Sequence, residues 1–495
     1  MKRFGFTFLK NAAANLVRGG ATAVVALALP HFLTHALAKD RFAAWSLMLQ
    51  IAAYANYLDF GIQTAVARYL AQAMERDDRE LRDTLISTAF ALLACGGLIA
   101  MLAIGAVIWQ LPQLFHGIPG SLVPEVRLGA LLLAVSAVLQ LPLSTFTGVL
   151  IGLHKNEHPA LAIGGSRVLG AISVLLAVHF THSLGALAAC IAVANLAGSL
   201  LQYRLARILL PGMQLGAQHV HRAMAAEIAR YCSMLVFFSF GMLLISGLDV
   251  TIVGLFQFRS VGYYSVAATL TSFFAGLNNA VFAALIAPVA VLDARGEHRR
   301  IAEIVLRTSR LSTFLNLTLV LLVYFAGSPL LRLWVGPEYA AEALPIVKLL
   351  LIGQAIRLLN NGYASALLAV GLQRKALLPS IVEAFGNLAL SLAGARWLGP
   401  IGVAWGTVIA AALGSVLYIV HTIRIVTMIP LKRSEYVLES VLRPLLCLSP
   451  LVLLLLLLRG QSVGFRLIPW LVLALMLSGG LTARFGKVGL KQLQT

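Results

Sequence analysis

What this chain lacks narrows its nature before any motif is read. Charge is scarce: Asp, Glu, Lys and Arg together make up 12% of 495 residues, against 60% hydrophobic residues. No polar stretch of domain size interrupts the apolar sequence, so no soluble part is left to hold a separate active site. Acids are rarer than bases, 19 against 38, for a net charge of +19. Cysteine occurs four times, as Cys95, Cys190, Cys232 and Cys447, always inside an apolar run and without pairing or metal spacing. That excludes a disulfide framework and leaves small buried thiols. There is no G-x-x-x-x-G-K-[ST], no D-x-D, no H-E-x-x-H and no G-x-S-x-G, so ATP hydrolysis has no familiar site here. The pairs His31/His35 and His154/His158 have i,i+4 spacing but stand at helix ends with no third ligand, so neither a metal nor a cofactor is expected.

What is present is a succession of apolar runs. A bilayer core needs about 20 apolar helical residues per crossing. On that basis the sequence predicts fourteen spans, at 13–36, 42–73, 84–110, 125–152, 158–180, 184–207, 231–257, 261–291, 306–334, 343–370, 377–397, 401–427, 440–458 and 467–484. The fold class expected is therefore an all-α integral membrane protein. Ala36-Leu37-Ala38 resembles a signal-cleavage site, but the run before it contains Arg18 and is too long for a signal segment, so an uncleaved helix is expected.

The basic residues follow topology. With an even number of spans, 22 lysines and arginines fall on the face shared by the termini and 8 on the other. The positive-inside rule then places both termini in the cytoplasm, and nucleic acid is not an expected partner. Segment Pro211–Arg230 is the long cytoplasmic link and reads as an amphipathic helix on the membrane surface.

The chain also repeats. A shift of about 219 residues lays Phe42–Ile51 over Val261–Leu270, and Gly152-Leu153-His154-Lys155 over Gly371-Leu372-Gln373-Arg374. The domains expected are a six-helix lobe at 1–216, a second at 217–430, and two additional helices with a tail at 431–495. Six spans is an even number, so both lobes share one orientation, which favours a substrate cavity between them.

Ionisable residues inside spans are costly and usually face a cavity or one another. They are Arg18, Asp59, Arg68, Arg167, Asp249, Arg310, Lys348, Arg357 and Glu383, that is, six cations against three acids. A surplus of arginine suits a phosphate-bearing substrate, because the planar guanidinium binds phosphate oxygens bidentately and stays charged. The candidate cationic lumen is Arg18, Arg68, Arg167, Arg310 and Arg357. For Arg68 and Arg310, near span ends, snorkelling competes, and for the deeper arginines a structural ion pair competes. Asp59, Asp249 and Glu383 are the candidates for coupling to an ion, with Asp59 alternatively pairing with Arg18 or Arg68.

Four segments carry a resemblance: YLDFGIQTAVARYLAQA from Tyr57, GVLIGLHKNEHPALA from Gly148, SGLDVTIVGLFQFRSVGYYSVAATL from Ser246 and ALLAVGLQRKALLPSIVE from Ala366. They resemble the polysaccharide-transporter branch of the multidrug/oligosaccharidyl-lipid/polysaccharide exporter superfamily, the branch of the O-antigen and exopolysaccharide lipid flippases. The resemblance implies a two-lobed bundle in the bacterial inner membrane that alternates between inward- and outward-open states. It implies an undecaprenyl-diphosphate-linked oligosaccharide as cargo, a proton or sodium as a candidate coupling ion, and polysaccharide polymerase and chain-length proteins as candidate partners. Arg18 and the Asp249 position fit its pattern, whereas Arg167 and Arg357 rest on burial alone. A flippase for the peptidoglycan lipid precursor and a drug/cation antiporter of the same superfamily stay open. A membrane enzyme is disfavoured, since the longest outer loop, near 111–124, carries only His116.

Overall fold

Runs rich in leucine and alanine, with few internal prolines, satisfy their backbone groups internally as helices, which hydrocarbon surroundings demand. The computed structural model describes residues 24–283, 285–457 and 473–482, and every regular element among them is helical. The chain divides into two compact units, Met1–Ser265 and Val266–Thr495. This is a division by packing, and it falls inside a helix rather than at the 216/217 boundary of the sequence repeat.

The first unit contains α1 (Val24–Ala36), α2 (Lys39–Ala53), α3 (Ile62–Glu75), α4 (Arg79–Trp109), α5 (Leu111–Leu114), α6 (Val123–Leu143), α7 (Thr145–Gly152), α8 (Glu157–Phe180) and α9 (Leu184–Leu209). It continues through α10 (Arg222–Met242), α11 (Asp249–Phe256) and the start of α12 (Val261–Ala283). The second unit has the rest of α12, then α13 (Ile286–Ala294), α14 (His298–Val335), α15 (Pro337–Leu358), α16 (Asn361–Ala369), α17 (Leu377–Leu417) and α18 (Ile423–Ile425). It ends with α19 (Arg433–Val437), α20 (Arg443–Cys447), α21 (Ser449–Leu457) and α22 (Leu473–Thr482).

Among the described residues, eight helical runs are long and apolar enough to cross a membrane, and a ninth is gained if Arg222–Ser233 and Leu235–Gly247, bent by 51°, count as one. The difference from fourteen has physical causes. Expected span 42–73 is interrupted by a 3-10 turn at Tyr54–Asp59 and by left-handed Phe60 and Gly61, and span 261–291 breaks before Ile286. The first and last expected spans extend outside the described residues.

Two expected spans merge into the single 53-residue run Gln373–Ile425. At 1.5 Å per residue that run would be about 80 Å long, far more than one bilayer core of about 30 Å. It folds back at Gly399, whose φ of 61° and ψ of −140° only glycine tolerates readily, with Pro400 next. Each arm corresponds to one expected span, 377–397 and 401–427. The arms pack antiparallel through small residues. A Cβ on Gly406 would stand 2.6 Å from the Ser391 nitrogen, and one on Gly402 would meet the Gly394 carbonyl.

Four helix C-termini share one cap. Asp77, His154, Gly296 and Gly371 adopt positive φ, and behind them Asp78, Lys155, Glu297 and Leu372 donate to Ala73, Leu150, Leu292 and Leu367 at 2.8–3.0 Å. This is the Schellman arrangement. Gly296 stands 219 residues after Asp77, and Gly371 stands 217 after His154. Gly152, aligned by sequence with Gly371, serves packing instead, because its missing Cβ lets the Ala67 carbonyl and Leu70 approach.

The link at 211–230 differs from the expected surface helix. Residues 212–221 lie against α4, which supplies their polar partners. The Arg82 guanidinium, paired with Asp83 at 2.8 Å, donates to Gly212 O at 3.1 Å. Ser87 accepts from the Gly216 N–H, and Thr88 accepts from the His221 N–H at 3.2 Å while donating to His219 O. Pro211 and left-handed Gly212 break the helix, and α10 resumes at Arg222.

Candidate functional site

Two sets of polar side chains stand inside otherwise apolar helices, one in each unit. In the first unit, Asp59 ends the 3-10 turn that interrupts α2 and α3. Its carboxylate accepts from the Gly61 and Gln63 backbone N–H groups and from the Gln63 side chain, which satisfies orphan donors at the α3 N-terminus. The Ser144 hydroxyl, in the break between α6 and α7, donates to it at 3.5 Å. Arg68, on α3, is exposed and stands over Tyr231 and Tyr69, at 5.2 and 5.9 Å from the ring centroids. The alternative pairing of Asp59 with Arg68 is therefore not what this structure displays. Arg18 lies outside the described residues.

Asp249, only 6% exposed, opens α11 after the π-helical turn Leu243–Gly247. The Tyr264 hydroxyl donates to its carboxylate at 3.2 Å. Gln50 donates to Gly247 O at 2.6 Å, the Tyr54 and Thr251 hydroxyls share a hydrogen bond, and Tyr57 lies within electrostatic reach of Asp249. α2 and its 3-10 turn thus present Gln50, Tyr54 and Tyr57 toward one acid. The sequence singles out Asp249 but not this tyrosine shell; the i,i+3 tyrosines of Tyr54-Ala55-Asn56-Tyr57 are the signal that could have found it. Arg167 is exposed on α8.

In the second unit, Arg357 and Glu383 are brought together: Nε donates to Oε1 at 2.5 Å. Gln354 accepts from Arg357 Nη1 at 3.1 Å, while Nη2 is buried without a hydrogen-bond partner among the described residues. Glu383 fits because Gly414 faces it on the opposite arm of α17, where a Cβ would come within 2.9 Å. The side chains keep 22% and 13% exposure. A cation that shares one carboxylate and has a free N–H left over retains capacity for a further anionic oxygen.

Arg310 is buried rather than snorkelling. Its Nη2 lies 2.9 Å from Glu439 Oε2, and Arg443, one turn beyond Glu439, bonds the same carboxylate. Glu439 was missed because it sits one residue before the expected start of a span at 440, whereas the helical run begins at Arg433. Lys348 stands 4.2 Å from the Tyr324 ring centroid, a cation–π contact. Asn278, Ser312 and Asn316 hydrogen-bond one another at 2.8–3.1 Å between α12 and α14. Among the described residues, no group of three His, Cys, Asp or Glu could hold a metal ion.

Comparison with known proteins adds the lineage of this arrangement. The family model described as polysaccharide biosynthesis protein matches residues 32–344. No curated protein matches the chain. Its fold is similar to that of the lipid II flippase MurJ in an inward closed conformation, at a TM-score of 0.69 and 12% identity over 100% of both chains. An inward-facing multidrug resistance MATE family transporter of the MOP superfamily gives 0.67 and 14%, over 84% of this chain and 98% of that one. A MATE transporter of Vibrio cholerae gives 0.59 and 15%, over 86% and 99%. At such identities the likeness concerns the fold.

Proposed function

This chain belongs to the polysaccharide biosynthesis protein family, and from that premise we propose that it flips an undecaprenyl-diphosphate-linked oligosaccharide between leaflets by alternating access. The observation that carries the reading is the Arg357–Glu383 pair, a charged group with an unused donor inside helices that are otherwise apolar. A diphosphate-sugar headgroup cannot enter hydrocarbon unaided, because burying unpaired charge is very costly. Guanidinium groups that stand in for water lower that barrier while the lipid tail stays in the bilayer. In this proposal Arg357 binds diphosphate, and Arg18, Arg68, Arg167 and Arg310 extend the cationic path.

We place the protein in the bacterial inner membrane with both termini cytoplasmic, working beside polymerase and chain-length proteins. The two duplicated lobes, 1–216 and 217–430, with 431–495 appended, form its moving parts. The equal spacing of the helix caps supports that duplication. No step requires bond cleavage, so the protein acts as a transporter and not as an enzyme. Deleting the gene tests this directly. Extracts of the deletion strain should accumulate intact polyprenyl-linked oligosaccharide while surface polysaccharide disappears. Unchanged lipid pools with normal polysaccharide would refute the assignment.

A second reading, a cation antiporter, draws on Asp249, where a buried acid with hydroxyl neighbours offers a cation oxygen ligands. The same acid, with Asp59 and Glu383, is the candidate for proton or sodium coupling of the flippase. Asp249→Asn keeps the acceptor for Tyr264 but removes the charge. It should abolish the dependence of transport on pH or sodium; a dependence equal to that of the unmodified protein would exclude Asp249.

A further inference from the structure

The triad of Arg310, Glu439 and Arg443 is not electrically closed. Two guanidiniums share one carboxylate, and Arg310 keeps Nε and Nη1 buried without a hydrogen-bond partner among the described residues. Arg307, one turn earlier on α14 and exposed, lies within electrostatic reach of Arg310. Three cations thus surround one acid within the second unit. A surplus of buried positive charge is costly unless an anion stands beside it. Glu439 belongs to the π-helical turn Leu438–Leu442, a geometry that recurs at functional sites.

The surroundings identify the anion's carrier. Leu311 and Leu315 of α14 are 51% and 53% exposed, and Leu442, Leu445 and Leu446 beside Arg443 are 47%, 48% and 69% exposed. The cations therefore emerge among leucines that need apolar cover, and a soluble anion supplies none. Phosphate attached to acyl chains satisfies both requirements at once.

We propose that Arg443 and Arg307, backed by Arg310 and Glu439, form a binding site for the phosphate of an anionic membrane phospholipid at the seam of α14 and α20. The site is separate from cargo transport and does not depend on which substrate is flipped. Guanidinium forks hold the phosphodiester oxygens, and the exposed leucines of the two helices take the acyl chains. Glu439 fixes both inner arginines, so that the donor array is preformed when the lipid arrives.

The test is native mass spectrometry of the full-length protein in detergent micelles, supplied with phosphatidylglycerol, phosphatidylcholine or inorganic phosphate. Phosphatidylglycerol should be retained and phosphatidylcholine should not. Retention should fall about fivefold in Arg443→Gln and in Arg307→Gln, the effect of one basic residue near an anionic headgroup. Arg307→Gln leaves the Glu439 pairs intact, which guards against a folding failure in the other variant. Arg374→Gln, an exposed arginine elsewhere in the second unit, should change nothing. Equal retention in all variants, or equal retention of phosphatidylcholine, would overturn the site. Displacement of phosphatidylglycerol by millimolar inorganic phosphate would assign the site to a soluble anion and overturn its lipid character.

Discussion

Arg357→Ala reduces transport to background while the protein still reaches the membrane. The loss follows from what Arg357 does in two directions. Toward Glu383 it supplies the countercharge for a carboxylate that is only 13% exposed, so its removal leaves an orphan acid. Breaking such a pair costs up to about 3 kcal/mol, the low end for buried pairs because both side chains keep some exposure. Toward the proposed cargo it supplies a charge-assisted hydrogen bond, whose loss weakens binding about 10- to 100-fold. The double variant Arg357→Ala/Glu383→Ala separates the two effects, since it removes the orphan acid along with the arginine. Its thermal midpoint should recover toward that of the unmodified protein while surface polysaccharide stays absent. Arg357→Lys should give an intermediate result, as an ammonium keeps the charge but not the fork. Polysaccharide at full level in both the single and the double variant would end the role assigned to Arg357.

The largest structural effect belongs to the hairpin in α17. A side chain on Gly402 runs into the backbone carbonyl of Gly394, and the reverse substitution does the same to Gly402. Neither obstacle is a flexible side chain that could turn aside, so the two arms must separate. Gly402→Ala should cost at least about 3 kcal/mol, at the top of the usual range for overpacking. Gly402→Leu should yield no monodisperse protein in mild detergent. Gly386, three turns from the reversal, is the control: its added Cβ would lie 3.9 Å from the Ala410 Cβ, an ordinary contact. Gly386→Ala should leave the thermal midpoint unchanged or raise it by the equivalent of about 0.5–1 kcal/mol, the usual gain of Ala over Gly in a helix. A Gly402→Ala protein as stable as the original would show that the arms can shift apart freely.

The parts of this molecule that are legible in sequence are those governed by composition over long windows. Helices such as Arg79–Trp109 and Leu184–Leu209 fall close to the spans expected at 84–110 and 184–207 because hydropathy alone dictates them. What hydropathy cannot carry is a break inside an apolar run. The left-handed pair Phe60–Gly61 and the reversal at Gly399 are local backbone events on one or two residues. Partners distant in sequence were equally hidden: Arg310 meets an acid 129 residues later, and nothing in either segment announces the other. The same holds for Tyr54 and Thr251, which lie 197 residues apart. The link after α9 misled for a simpler reason. Its basic residues suggested a helix on the membrane surface, whereas Ser87 and Thr88 of α4 capture its backbone first.

The reversal at Gly399 also bears on how the chain is made. The two arms of α17 are joined without a hydrophilic loop, so there is no polar segment to be carried across the bilayer between them. Such a hairpin enters the membrane as one object, and its insertion leaves its two ends, near Gln373 and Ile425, on the same face. The orientation of everything that follows is then independent of the charge flanking the turn, Arg396 included. Biogenesis of this region is settled by a glycine and a proline rather than by the distribution of lysine and arginine.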